Sequence, residues 1–88
     1  MVRKPTSIPH TAGVYLFKKG SVLLYIGKAL DLQKRLASYF RKNVGDKVAR
    51  LRAEATAVEW SETASDIEAL IREAELIRRY VPKYNVLM

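Results

Sequence analysis

The chain has 88 residues, 49% of them hydrophobic and 28% charged, which suits one small folded domain and excludes a disordered chain. It has no cysteine, so a disulfide framework and a thiolate zinc site are both excluded. Lys and Arg outnumber Asp and Glu by 16 to 9, a formal net charge of +7, and that excess on so small a domain points to a polyanionic partner, nucleic acid before a membrane surface.

The N-terminal MVRKPTSIPH lacks the apolar segment of a secretory signal, and no apolar run approaches the ~20 residues of a membrane span. The chain is therefore expected in the cytoplasm, with no membrane partner. Residues 1–11 read as an extended lead-in, because Pro5 and Pro9 block regular helix. His10 is the one histidine, and beside Pro9 it reads as an exposed loop residue rather than a general base.

From Gly13 to Lys28 the sequence GVYLFKKGSVLLYIGK reads as a hairpin. Its strands are Val14–Phe17 and Val22–Ile26, joined across Lys18-Lys19-Gly20-Ser21. Each strand carries a tyrosine, Tyr15 and Tyr25. Because side chains alternate, the two share a face only if the connection is odd in length, and a glycine bulge at Gly20 is the expected source of the odd residue. Lys28 follows just beyond.

The period then becomes helical. Over Leu30 to Phe40, Leu32, Leu36 and Phe40 form one stripe with Tyr39 on its shoulder, and Asp31 is the expected N-cap. Arg35 stands one turn before Tyr39, where spacing by itself favours a stem laid over the core margin. Lys34 points away, toward solvent or a phosphate. Asp46 is expected to cap a second helix running to about Ala55, with Val48 and Leu51 on one side. Arg41, Lys42, Lys47, Arg50 and Arg52 make the densest positive patch, for which an electrostatic footprint on nucleic acid is at least as good a reading as a solvated helix face.

Thr56 to Glu62 alternates Val58 and Trp60 against Glu59 and Ser61, a third strand with Trp60 in the core. Ser65 caps a long helix to about Val81, with Glu68 three residues on. Ile67, Leu70, Ile71, Ala74, Ile77 and Val81 are its expected buried arc, widened by Leu76 and Tyr80, and Glu73 falls inside that arc. A carboxylate taken out of water needs a partner, an arginine or a divalent cation, and the residues alone leave a structural ion pair equally open. Pro82 ends the helix, and the alternation of Tyr84 and Val86 about Asn85 predicts a short terminal segment packed back on the sheet.

One sheet face is thus expected to bring Tyr15, Tyr25 and Lys28 opposite Arg35 and Glu73. Phosphodiester hydrolysis needs a base for water, charge stabilisation at phosphorus and often a metal, and this set offers each. Acyl transfer and NTP hydrolysis find no matching arrangement in the sequence.

In chain order, Gly13-Val14-Tyr15, Tyr25-Ile26-Gly27, Lys28-Ala29, Arg35, Tyr39 and Glu73 resemble the GIY-YIG endonuclease superfamily, with Val14 where the family name has Ile. The closing Pro82-Lys83-Tyr84-Asn85-Val86 resembles the end of this domain in the UvrC-type excinucleases of nucleotide excision repair. The resemblance implies an α+β fold, a small three-stranded antiparallel sheet flanked by helices, as one domain over residues 1–88. It implies DNA hydrolysis with one divalent cation, Mg2+ or Mn2+, held by Glu73. Tyr25 would then be the base or water-positioning group, Tyr15 its assistant and Arg35 the phosphate ligand, with Lys28, Tyr39 and Asn85 lining the site. The partner of the basic patch would then be DNA, with Lys34 beside the patch. The same resemblance implies incision on the 3′ side of a lesion, beside other excision-repair proteins, if the chain is the N-terminal domain of a longer repair protein. A free-standing small relative is the other form, and a DNA-binding module with little or no turnover is the alternative function.

Overall fold

The β-branched, aliphatic and aromatic residues on either side of Gly20 fold as an antiparallel pair, β1 (Gly13–Lys19) and β2 (Val22–Ala29). In the computed structural model, which describes residues 2–86, the turn between them is only Gly20-Ser21. Gly20 has φ 60°, a conformation open to glycine without a Cβ penalty. An unbroken ladder from that turn would set Tyr25 opposite Leu16, on the face away from Tyr15. The register shifts instead. Lys18 pairs with Leu23 but Phe17 with Tyr25, so Leu24 is the extra residue of a bulge.

The odd residue expected at Gly20 is therefore found at Leu24. Leu24 is buried in the same cluster as Tyr84, so burial of a leucine, rather than the chemistry of the turn, locates the bulge. With it in place Tyr15, Phe17, Tyr25 and Gly27 share one face.

β3 (Ala57–Glu62) pairs antiparallel with the other side of β1, giving the order β2-β1-β3 and setting Trp60 beside Tyr15 and Val58 beside Phe17. That face is covered by α1 (Leu32–Tyr39) and α2 (Asp46–Glu54), whose Leu32, Leu36 and Leu51 are buried with it. Trp60 is half-buried against this core, as expected. The lead-in has no regular structure, yet it closes the core with Val2 and Ile8. Its Thr11 and Pro9 carbonyls accept from the first amides of α1, Leu32 and Gln33. Asp46 is the first helical residue of α2 rather than its cap; Gly45 holds the cap position without a side-chain bond.

α3 (Asp66–Tyr80) starts as the sequence predicts, Ser65 accepting from the Glu68 amide at 3.1 Å. It ends at Val81, whose φ of 42° is the left-handed stop, followed by Pro82. The helix packs on β2 and β1 by one edge of its expected arc, the side with Leu76 and Ile77, rather than by its centre. Ile67, Leu70, Ile71 and Val81 are 70%, 50%, 53% and 61% exposed, whereas Ala69 is buried and Glu73, Leu76 and Ile77 are half-buried. At about 100° per residue, the contact face lies roughly a third of a turn from the stripe. The small Ala69 permits the close approach to the strands. The segment after Pro82 does pack back on β2, but as a single turn, α4 (Lys83–Val86), with the Asn85 and Val86 amides donating to the Pro82 carbonyl. Met1, Leu87 and Met88, included in the expected span 1–88, lie outside the described residues. No helix among the described residues is long and apolar enough to cross a membrane.

Asp31 ties lead-in to helix. Its carboxylate accepts from the Lys34 amide at 3.0 Å and lies 3.0 Å from His10 Nδ1. The Lys34 N–H first, and His10 second, hold its carboxyl below the usual range. A depressed carboxyl contributes stability that is present above the unfolded pKa and lost as pH falls through the folded one. Asp31→Asn keeps a competent cap but removes the charge. It is expected to lower the urea midpoint at neutral pH, and the difference should shrink as the pH drops below about 4 and close only below the lowered pKa of the folded protein. Urea unfolding of both proteins at a series of pH values checks this.

Candidate active site

Tyr15 is the centre of the site. It is 1% exposed, on the middle strand, with its ring laid across Gly27 of the neighbouring strand. A Cβ at Gly27 would fall inside the Tyr15 ring, so this glycine supplies room rather than flexibility. Gly13 is needed for the same reason, since a Cβ there would run into the Ser61 carbonyl and the Leu32 side chain. The glycines of both short motifs are therefore space for the first tyrosine and for the sheet around it.

Three tyrosines gather here from β1, β2 and α1. Tyr15 meets Tyr39 edge-on at 5.5 Å between centroids, with their hydroxyls 2.7 Å apart, and Tyr25 lies 6.3 Å from Tyr15. Phe17 backs Tyr39 at 5.0 Å. Burial pushes Tyr15 up to about 12 and Tyr25 up to about 12, and raises Tyr39 as well, so all three phenols are protonated at neutral pH. Arg35 opposes that trend: its positive charge favours ionisation of each of the three. The guanidinium belongs to an exposed residue at a groove lined by Leu30, Asp31, Lys34, Arg35 and Ser38. It stands beside the tyrosines and open to a ligand.

Glu73 reaches the cluster from α3, and its negative charge raises Tyr25 further. It is half-buried, and among the described residues no lysine, arginine or histidine comes within 4.0 Å of its carboxylate. The arginine partner that would balance its burial is not there.

Asn85 is brought in by α4. Its amide donates to the Ile26 carbonyl and its oxygen accepts from the Ile26 N–H, both at 2.9 Å. The side chain thus acts as a short strand on the open edge of β2 and fixes the residue next to Tyr25. Lys28 behaves differently. It pairs with Val14, and alternation sets it on the face away from Tyr15 and Tyr25, where it is exposed. The structure does not bring it against the tyrosines, contrary to the expectation of a single shared face.

The basic patch divides. Lys34, Arg41, Lys42 and Arg50 are exposed. Arg52 instead donates from one nitrogen, at 2.9 Å, to the carbonyls of Tyr39 and Arg41, bracing the end of α1 against α2. Lys47 lies with its Nζ 4.7 Å from the centre of the Tyr25 ring. The sequence holds no signal for that contact, because the loop joining α1 to α2 decides where the first turn of α2 lands. Among the described residues no group of three or more His, Asp or Glu could hold a metal, so a cation here would draw on Glu73 with oxygens from solvent and substrate.

Paired glycine and tyrosine motifs on a β2-β1-β3 sheet, with an arginine and a glutamate from flanking helices, define a GIY-YIG nuclease domain. Residues 11–86 match the family described as the UvrC-like GIY-YIG domain, and the chain belongs to that family. It is 45% identical over 84 residues to UvrABC system protein C of Actinobacillus succinogenes, covering 93% of this chain and 14% of the relative. The Thermus thermophilus protein of the same name is 44% identical over 81 residues, covering 92% and 13%. The chain thus spans about a seventh of the length of these curated relatives. The GIY-YIG N-terminal endonuclease domain of UvrC from Thermotoga maritima, solved bound to its catalytic divalent cation magnesium, superposes with a TM-score of 0.83 at 44% identity, over 89% of this chain and 86% of that one. A point mutant of the same domain superposes at 0.84.

Gly27→Ala tests the packing of this centre. The added methyl displaces the Tyr15 ring and is expected to cost about 1–3 kcal/mol, the usual range for overpacking. Tyr15→Phe, which retains the ring, is expected to cost less. Denaturant unfolding of the two variants makes the comparison.

Proposed function

We propose that the chain is a divalent-metal-dependent endonuclease domain that hydrolyses DNA phosphodiester bonds, and that the single nuclease domain takes up residues 1–88. The observation that carries the reading is Glu73, half-buried, without a cationic partner among the described residues, and close enough to Tyr25 of the tyrosine cluster for its charge to be felt there, with the open Arg35 at the same cluster. A lone carboxylate suits Mg2+ or Mn2+, which take hard oxygen ligands and keep much of their shell for water and phosphate. When bound, such an ion stabilises the charge that develops on the phosphate oxygens.

The protein's own groups supply the rest. Arg35 takes the non-bridging phosphate oxygens in a bidentate pair. Tyr25 orients the attacking water through its hydroxyl; with its pKa pushed up to about 12 by burial, it accepts a proton only where nearby positive charge favours the phenolate. Tyr15 and Tyr39, joined hydroxyl to hydroxyl, hold the neighbouring rings in place. Asn85 fixes β2 behind Tyr25, and Lys28, on the other side of the strand, meets the DNA rather than the tyrosines. Lys34, Arg41, Lys42 and Arg50, all exposed, carry the backbone of the substrate, while Arg52 shapes the surface that presents them. The relatives' name, UvrABC system protein C, supports excision repair beside other proteins of that system when the domain is part of a longer protein. Incision on the 3′ side of a lesion, in the cytoplasm, is what the resemblance to the UvrC-type excinucleases adds.

Supercoiled plasmid incubated with Mg2+, Mn2+ or EDTA tests the reading. Nicking is expected with either metal and not with EDTA. Glu73→Gln and Arg35→Ala are each expected to slow it by at least about a hundredfold, the scale of losing a charge-stabilising group, with unchanged unfolding midpoints. Full activity in both variants refutes the assignment. A folded wild-type protein that binds DNA and nicks in no metal is instead a binding module.

A further inference from the structure

Lys47 stands out among the basic residues because of where its charge is kept. It sits on the first turn of α2, half-buried, with its ammonium 4.7 Å above the Tyr25 ring. Among the described residues no carboxylate lies within 4.0 Å of it, neighbouring Asp46 included. Partial loss of water pulls its pKa down, so the protein holds this cation at a cost with only a ring face in return. An exposed lysine meant only for phosphate contact bears no such cost. Beside it Asp46, Lys47, Arg50 and Tyr84 line a groove of about 290 Å³ between α2 and α4. Lys47 therefore stands between a cationic groove and the phenol proposed to orient water.

We infer that Lys47 is a positioning residue for Tyr25, clamping the face of its ring and keeping positive charge beside it as the DNA strand enters the groove. This rests on the nuclease reading. Tyr25 is also held by Tyr15 at 6.3 Å, by its side-chain hydrogen bond with Tyr39 and by the Asn85 clamp on Ile26, and Lys47 adds a charged restraint over the ring face. Arg50 shares the groove but makes no cation–π contact with Tyr25 among the described residues, and it serves as the internal control.

The test compares Lys47→Met, Lys47→Arg and Arg50→Met in steady-state nicking of plasmid with Mg2+. Methionine retains the length and apolar bulk of the lysine stem while removing its charge. Lys47→Met is expected to lower kcat by about 3- to 30-fold, the kinetic equivalent of one cation–π contact, with KM changed less than about twofold. Lys47→Arg should recover most of that loss, since a guanidinium also stacks on a ring. Arg50→Met should raise KM and flatten the salt dependence of binding with kcat retained. In the metal-free protein, the ring carbon resonances of Tyr25 should move in Lys47→Met and not in Arg50→Met. If Lys47→Met changes only KM, as Arg50→Met does, or leaves the Tyr25 resonances in place, Lys47 is a phosphate contact and the inference falls while the nuclease reading stands. Absence of nicking by the wild-type protein overturns the parent reading instead.

Discussion

The arrangement of this domain depends on one leucine out of step. A two-residue turn at Gly20-Ser21 feeds an antiparallel pair in which Tyr15 and Tyr25 belong on opposite faces. The bulge at Leu24 reverses this for every residue beyond it. Burial of Leu24 in the core draws the extra residue inward, and the ladder resumes with Phe17 beside Tyr25 and Tyr15 beside Gly27. The aromatic cluster, the close fit of ring on glycine and the edge that Asn85 clamps all follow from that register. Without it the two short motifs would be back to back.

The cluster that results is poor at ionising and well held. Burial raises all three phenols, and hydroxyl-to-hydroxyl contact with edge-on packing limits how far the rings turn. Among the described residues, charge reaches it from the helices around the sheet: Arg35 from α1, Glu73 from α3 and Lys47 from α2. Each comes from a different element, so the electrostatics of the site are a property of helix placement, whereas its shape belongs to the sheet. A half-buried carboxylate left without a protein cation is costly unless a ligand meets it, and this is the physical basis for the proposed metal.

The same division explains which expectations hold. The caps at Asp31 and Ser65, the extent of α1 and β3, and the stop at Pro82 are local, set by hydrogen bonds within a few residues, and they are found where the sequence puts them. The buried face of α3 differs from its apolar stripe because the apolar residues cover more than half a turn, and periodicity cannot say which part meets the sheet. A small residue, Ala69, decides that by letting the backbone close in. Alternation about Asn85 suggests an extended tail, but the free carbonyl of Pro82 gathers the next amides into a helical turn. In the sequence Arg52 is one more positive charge; in the fold its guanidinium binds backbone carbonyls.

The residues alone determined the class of this protein: its strands and helices, a basic surface, the two glycine–tyrosine motifs and the Glu73 that falls within the apolar arc of its amphipathic helix are all readable from order and spacing. They did so because each is a local pattern or a count. Which residues touch was decided in three dimensions. The bulge position, the side of the sheet that holds Lys28, the absence among the described residues of a cation partner for Glu73 and the seat of Lys47 on Tyr25 depend on contacts between segments distant in sequence. Their energies come from burial and packing, which no single stretch of sequence contains.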